Sequence, residues 1–406
     1  MKAGWATVEL GEVAELSGRI GWKGLTAKEY TTEGPLFLSV HALNYGDYVD
    51  FRDANHISSA RYIESPEIML MPDDILICKD GAGIGKVGII GCLPSEATIN
   101  SSLLLIRAGG RVVPKFLYRC LESPYFQAIV QSKLEGATTP HLYQREIKKF
   151  PIPLPPLDEQ KRIVAVLDEA FEGLSRARAN AGANLADARA LWESSLDETF
   201  VELSKCADLV DLPSVVTADC TLSYGIVQPG DETDSGLPIV RPVDLSGDVV
   251  TLSGLKRIDP KQAQGYKRTE LQGGELLLCV RGTTGTVSIA DKVLSGANVT
   301  RGIVPIRFRA DRINPRFAFF QFISPIVQKQ IRAKTYGAAL MQINIGDLRK
   351  LTLLLPNLAK QDTVCEKLEG IRASYADLSK RQAGKIADLD NLRQSLLQKA
   401  FSGELT

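Results

Sequence analysis

Two stretches carry the residue types and spacing that could do chemistry. The first is Asp80-Gly81-Ala82-Gly83-Ile84-Gly85-Lys86, a glycine-rich run that ends in a lysine. A phosphate-cradling loop needs such glycines, but it also needs a Ser or Thr after the lysine and a helix N-terminus to hold the anion. Here Val87-Gly88-Ile89-Ile90 follows, an apolar run that reads as a strand. A tight strand connection is therefore expected, with lysines that could touch a polyanion. The second stretch is Gly136-Ala137-Thr138-Thr139-Pro140-His141-Leu142-Tyr143-Gln144-Arg145. His, Gln and Arg are types that read base edges, and Tyr can stack or contact phosphate. The bland alternative, a polar connection to the next strand, stays open for each residue.

Other chemistry finds little support. Asn314-Pro315-Arg316-Phe317 only faintly resembles the Asn-Pro-Pro-aromatic motif of amino-methyltransferases, and no glycine-rich adenosylmethionine fingerprint precedes it. It reads as a helix start, as does Val113-Pro114-Lys115-Phe116. Seven cysteines, an odd number without a C-x-x-C, argue against a disulfide framework or a zinc site and suit a reducing cytoplasm. Three scattered histidines offer no metal cluster. No apolar run approaches the ~18 residues of a membrane span, and the N-terminus lacks a signal-peptide pattern. The 48 basic and 48 acidic residues cancel, and only segment 208–355 is mildly basic, at 18 against 14. Charge alone does not identify a nucleic-acid binder, and any such role would need partners to share phosphate neutralisation.

Both chemical stretches recur. An internal repeat with an offset near 201 pairs Cys78 with Cys279, Pro114-Lys115-Phe116 with Pro315-Arg316-Phe317, and Ser123-Pro124 with Ser324-Pro325. It also pairs Gly136 with Gly337, Gln160 with Gln361, and Phe200 with Phe401. The glycine loop returns as Arg281-Gly282-Thr283-Thr284-Gly285-Thr286, and the polar segment as Gly337 to Asn344. Frame residues are kept while the side chains between them change. That pattern suits two copies of one scaffold reading two different targets.

The elements that must position these loops follow from periodicity. In each copy about 150 residues of short apolar runs, such as ILICK, SLLLI and ELLLCV, read as strands broken by turns. A helix is expected over Pro114–Val130. A long helix then follows. Its apolar positions run Ile163, Leu167, Ala170, Leu174, Ala177, Ala181, Asn184, Ala188, Leu191 and Ser195 in the first copy. The second copy gives Val364, Leu368, Ile371, Tyr375, Leu378, Gln382, Lys385, Leu389, Leu392 and Leu396. Steps of three and four over five heptads predict a coiled-coil seam, with the two helices packed on each other rather than each folded back on its own module. The expected fold is α+β: two similar domains with mostly antiparallel sheets, joined by two long antiparallel coiled-coil helices in a pseudo-two-fold arrangement. The expected boundaries are 1–155, 156–206, 207–355 and 356–406.

The chain resembles the specificity subunits of Type I restriction-modification systems. The resemblance is carried by VELGEVAELSGRIGWKG, GPLFLSVHALNYGDY and GATTPHLYQREIKKFPIPLPPLDEQKRIV in the first copy. In the second it is carried by LPIVRPVDL, ELLLCVRGTTGTV and the closing NLRQSLLQKAFSGEL. It implies two target-recognition domains that read a split, asymmetric site in double-stranded DNA, with the helix pair as spacer. It further implies a non-catalytic chain that docks two methyltransferase subunits, which bring S-adenosylmethionine, with nuclease/translocase subunits joining for cleavage. A related methylation-only or defence system, an enzyme with an atypical site, and a pure protein scaffold are the competing readings. Residue type and place in the repeat give the DNA-contact candidates. They are Lys23, Lys79, Lys86, His141, Tyr143, Gln144 and Arg145 in the first domain. In the second they are Arg241, Arg281, Thr283, Arg301, Gln342 and Asn344.

Overall fold

A computed structural model describes residues 4–19, 25–81, 83–134, 141–337 and 341–405. The chain divides into two units, one of residues 1–182 with 383–406, the other of 183–382. Each unit contains one α+β module and a part of each of two long helices.

In the first unit, strand β1 (Ala6–Glu9) leads through the one-turn helix α1 (Leu10–Val13) into β2 (Ala14–Ser17), β3 (Tyr30–Leu38) and β4 (Asn55–Ile57). Helix α2 (Ser59–Ile63) precedes β5 (Ile75–Cys78), β6 (Val87–Ile89), β7 (Ala97–Ile99) and β8 (Leu103–Ala108). An antiparallel sheet β2-β8-β5-β6 lies beside a sheet β4-β3-β7, in which β3 and β7 are parallel. Strand β5 shows why a short apolar run suffices here. Side chains alternate across a strand. Ile75 and Ile77 join Leu104 and Ile106 in the core on one face, while Leu76 and Cys78 join Leu103 and Leu105 on the other.

The expected single helix from Pro114 is two, α3 (Pro114–Glu122) and α4 (Pro124–Leu134). Pro124 has no N–H to continue the first helix and disfavours helical backbone at Ser123, which is extended at ψ 152. The one-turn helix α5 (Gln144–Ile147) and β9 (Pro151–Leu154), paired with β1, complete the module and hand over to α6 (Leu157–Leu203).

The second unit repeats this order. Its elements are β10 (Asp208–Asp211), β11 (Leu237–Val240), β12 (Val249–Val250), β13 (Lys256–Ile258), β14 (Leu276–Cys279), β15 (Val287–Ala290), β16 (Asn298–Val299) and β17 (Ile303–Ile306). Helices α7 (Pro315–Ile323), α8 (Pro325–Ala333) and α9 (Ile345–Leu348), strand β18 (Thr352–Leu355) and helix α10 (Leu358–Ser402) follow. Sheets β12-β15-β14-β17, β13-β11-β16 and β10-β18 reproduce the first module's pairings. The departures are small. The place of β2 shrinks to the bridge Val216↔Phe308, and that of β12 is the bridge Tyr48↔Ile89 in the first copy.

The long helices have 47 and 45 residues, about 70 Å each at ~1.5 Å per residue. Buried glutamines fasten each start to the module before it. Gln160 Oε1 accepts from Val113 N at 2.8 Å while its Nε2 donates to Arg111 O and Pro155 O. Gln361 makes the same three bonds with Asn314, Arg312 and Pro356. Each unit's core then combines the start of one helix with the end of the other, so the two run antiparallel there. In the first unit Ile163, Leu167 and Phe171 share a cluster with Leu397, Ala400 and Phe401. In the second, Val364, Cys365 and Leu368 share one with Leu196, Phe200 and Leu203.

The seam's phase needs a correction. Ile163, Leu167, Val364 and Leu368 are buried, and Leu174, Ile371 and Tyr375 are half-buried. Leu191, Leu378 and Leu392 are exposed, Leu191 by 65%. A straight α-helix drifts ~20° per heptad against a strict seven-residue repeat. Four heptads beyond Ile163 or Val364 the drift is about 80°, close to one residue. Trp192 and Arg393, not Leu191 and Leu392, therefore turn inward.

Candidate DNA-reading face

In both modules four segments meet at one sheet edge. Lys79 N donates to Ser102 O at 2.9 Å, Leu142 N to Lys79 O at 3.0 Å, and Asn100 N to Leu38 O at 2.9 Å. The counterparts are Val280 N to Gly302 O at 2.8 Å, Ile343 N to Val280 O at 3.0 Å, and Thr300 N to Val240 O at 3.0 Å. Antiparallel bridges Asp80↔His141 and Arg281↔Gln342 close each edge. The two chemically suggestive stretches of sequence are thus adjacent, in both copies.

The glycine loops are strand connections. Cys78 N donates to Lys86 O, and Gly85 N to Cys78 O; Cys279 N donates to Thr286 O, and Gly285 N to Cys279 O. Gly85 and Gly285 have φ of 87° and 98°, a conformation that favours glycine. A Cβ on either would come within 3.0 Å of Gln127 or Gln328, whose side-chain amides hold the loop carbonyls. The same bonds frame both loops, and each leads into a strand, not a phosphate-binding helix.

The candidates then separate by what holds them. In the first module His141 Nδ1 pairs with Asp80, and Lys79 lies 3.4 Å from the same carboxylate. Tyr143 is 51% exposed, packs edge-on to His141 at 4.4 Å, and carries the Arg145 guanidinium at 5.2 Å. Lys86 donates to Asn44 Oδ1, and Gln144 donates to Leu16 O at 2.7 Å, a bond internal to the module. Lys23 lies outside the described residues. In the second module Arg281 stands opposite Gln342, and its buried Nε has no hydrogen-bond partner among the described residues. Arg301 is exposed, and the Thr283 hydroxyl sits 3.4 Å from Cys279 Sγ. Two candidates carry structural duties. Arg241 is forked onto Asp244, which raises the guanidinium's pKa. Asn344 caps α9 by accepting from Asp347 N at 2.7 Å.

A second constellation escaped sequence reading. Between module and helices in the first unit, Arg119 is almost fully buried and pairs with Asp47 at 2.8 Å, Glu122 at 2.9 Å and Asp168 at 3.3 Å. Burial alone would lower its pKa, but Asp47 and Glu122 outweigh that and raise it. Arg393 binds Asp47 and Glu122 and lies 4.0 Å over the Phe171 ring. The second unit builds the same junction with roles exchanged. Arg372, in the place of Phe171, binds Asp248 and stacks on Trp192, in the place of Arg393. Arg316 binds Asp248 at 3.2 Å and Glu369 at 2.8 Å. The signal was available, since Asp47/Asp248, Lys115/Arg316 and Asp168/Glu369 all keep the 201-residue offset. Among the described residues no group of three or more His, Cys, Asp or Glu could hold a metal, and no helix is long and apolar enough to cross a membrane.

A duplicated α+β module, each copy ending in a bonded edge of variable side chains and each seated on a shared helix pair, defines a class of two-site recognition proteins. The sequence profile described as the Type I restriction modification DNA specificity domain matches residues 2–181 and 227–386, and the chain belongs to that family. The chain is 28% identical over 359 residues to the Type I restriction enzyme EcoBI specificity subunit of Escherichia coli, covering 82% of this chain and 74% of that one. In fold it is similar to a chain from a structure reporting complex assembly and conformational transition of the type I R-M system (TM-score 0.77, 23% identity, 100% and 99% coverage). It is also similar to the HsdS subunit from Thermoanaerobacter tengcongensis (TM-score 0.56, 20% identity, 99% and 98% coverage).

Proposed function

We propose that the two modules each read one half of a split, asymmetric sequence in double-stranded DNA, and that the chain itself is non-catalytic. In this reading the chain docks two methyltransferase subunits that supply S-adenosylmethionine and the chemistry. Nuclease/translocase subunits join them for cleavage, in a cytoplasmic complex. The observation that carries this is the pair of equivalent edges: an antiparallel bridge sets Asp80 against His141 in one module and Arg281 against Gln342 in the other. One frame with different polar side chains is what two different half-sites require. The relatives' names support the same role, and the balanced charge suits a reader whose partners share phosphate contacts. Sequencing of methylated adenines in the host, before and after deletion of the gene, is the test. The proposal expects a split motif that disappears with the gene; an unchanged methylome refutes it.

A further inference from the structure

Asp80 and Arg281 hold equivalent places. Each lies two residues beyond the last cysteine of its strand, and each backbone oxygen accepts from that cysteine's Sγ, at 3.1 and 3.2 Å. Each bridges a residue of the polar segment at the same 201-residue offset, His141 or Gln342. The geometry points to this position as the one that gives the two half-sites opposite hydrogen-bonding character. The first module demands a base with an exocyclic amino group, adenine or cytosine, and the second demands a guanine. The inference rests on the DNA-reading function proposed above.

In the first module Asp80 presents acceptors. Its carboxylate accepts only, and His141, paired with it through Nδ1, holds it in place. Acceptors match the N4 amino group of cytosine or the N6 amino group of adenine in the major groove. Lys79, 3.4 Å from Asp80, offsets the repulsion that a lone carboxylate would meet near phosphates.

The second module presents a donor fork instead. Among the described residues Arg281 makes no ion pair with a carboxylate, whereas Arg241 of the same module is forked onto Asp244. A guanidinium fits guanine O6 and N7 bidentately.

The experiment reads adenine-methylation motifs of the chain expressed with its methyltransferase partners in a methylation-free host. Arg281→Gln is expected to relax a guanine in one half of the motif. Asp80→Ala, which removes the acceptor, is expected to relax an adenine or cytosine in the other half, each by about 5- to 150-fold in discrimination. If a variant fails to fold, the unmodified complex is titrated with duplexes carrying 7-deazaguanine at the assigned position, with at least about fivefold weaker binding expected. A split motif without guanine in the half altered by Arg281→Gln, both variants acting on one half, or unchanged motifs would overturn the inference. Absence of any motif for the unmodified chain would instead sink the DNA-reading function itself.

Discussion

Replacing Arg119 by Met removes the centre of the junction between the first module and its helices. The guanidinium is 3% exposed, bonds Asp47, Glu122 and Asp168, and lies 4.6 Å over Phe171 and 5.2 Å over Tyr118. Breaking a buried charge network by removing one partner costs about 3–5 kcal/mol, because the opposite charges are left desolvated. Arg393 still bonds Asp47 and Glu122, and Lys115 still bonds Asp168 at 2.7 Å. The low end, about 3 kcal/mol, is therefore expected. Urea unfolding followed by circular dichroism measures the loss, and hydrogen exchange over α3 and α6 locates it in the first unit. The second unit supplies a control from nature: it has Phe320 in the place of Arg119 and moves the charge to Arg372 on the long helix. With Arg393→Trp as background, as Trp192 stands in the second unit, the double substitution Arg119→Phe with Phe171→Arg should thus recover at least half of the Arg119→Phe loss, a coupling that unconnected sites would not show. A loss below about 1 kcal/mol, typical of exposed pairs, or a double variant no better than Arg119→Phe alone, would refute the reasoning.

The helix phase gives a second expectation. Leu191→Ala should cost less than about 0.5 kcal/mol as a surface change, whereas Trp192→Ala, which removes packing on Phe320 and Arg372, should cost about 3 kcal/mol in the same unfolding assay. Alkaline pH gives a third. Burial pushes the Cys365 thiol from 9.0 up to about 12, so the folded state holds its proton where the unfolded state has lost it. That contribution is whole below pH 9 and is lost as pH rises through about 12, at up to about 1.4 kcal/mol per pH unit. Melting temperatures between pH 8 and 11 should fall less steeply for Cys365→Ala than for the unmodified chain.

Much of the architecture was legible in the sequence because duplication writes the same constraint twice. The offset of 201 exposed the duplication and the two long helices, while only the fold shows that the two loops of each copy lie side by side. Local chemistry sufficed for the glycine loops and the helix starts at Pro114 and Pro315, though the break at Ser123-Pro124 was read through. The phase of the helix faces was not legible, since a heptad count assumes supercoiling that straight helices lack. The charged junction was hidden for another reason. Asp47, Arg119, Phe171 and Arg393 span nearly the whole chain, and only folding brings them together. Residue type also does not show structural duty: Asn344 and Arg241 suit base edges, and the fold engages them in a cap and an ion pair within the module.

The most direct test of one scaffold used for two targets is module duplication. A chain in which residues 208–355 are replaced by a second copy of 6–154, expressed with methyltransferase partners, has its methylated motif sequenced. If one scaffold serves two targets, one half of the motif is lost and the remaining half occurs twice. An unchanged asymmetric motif from that chain would contradict it.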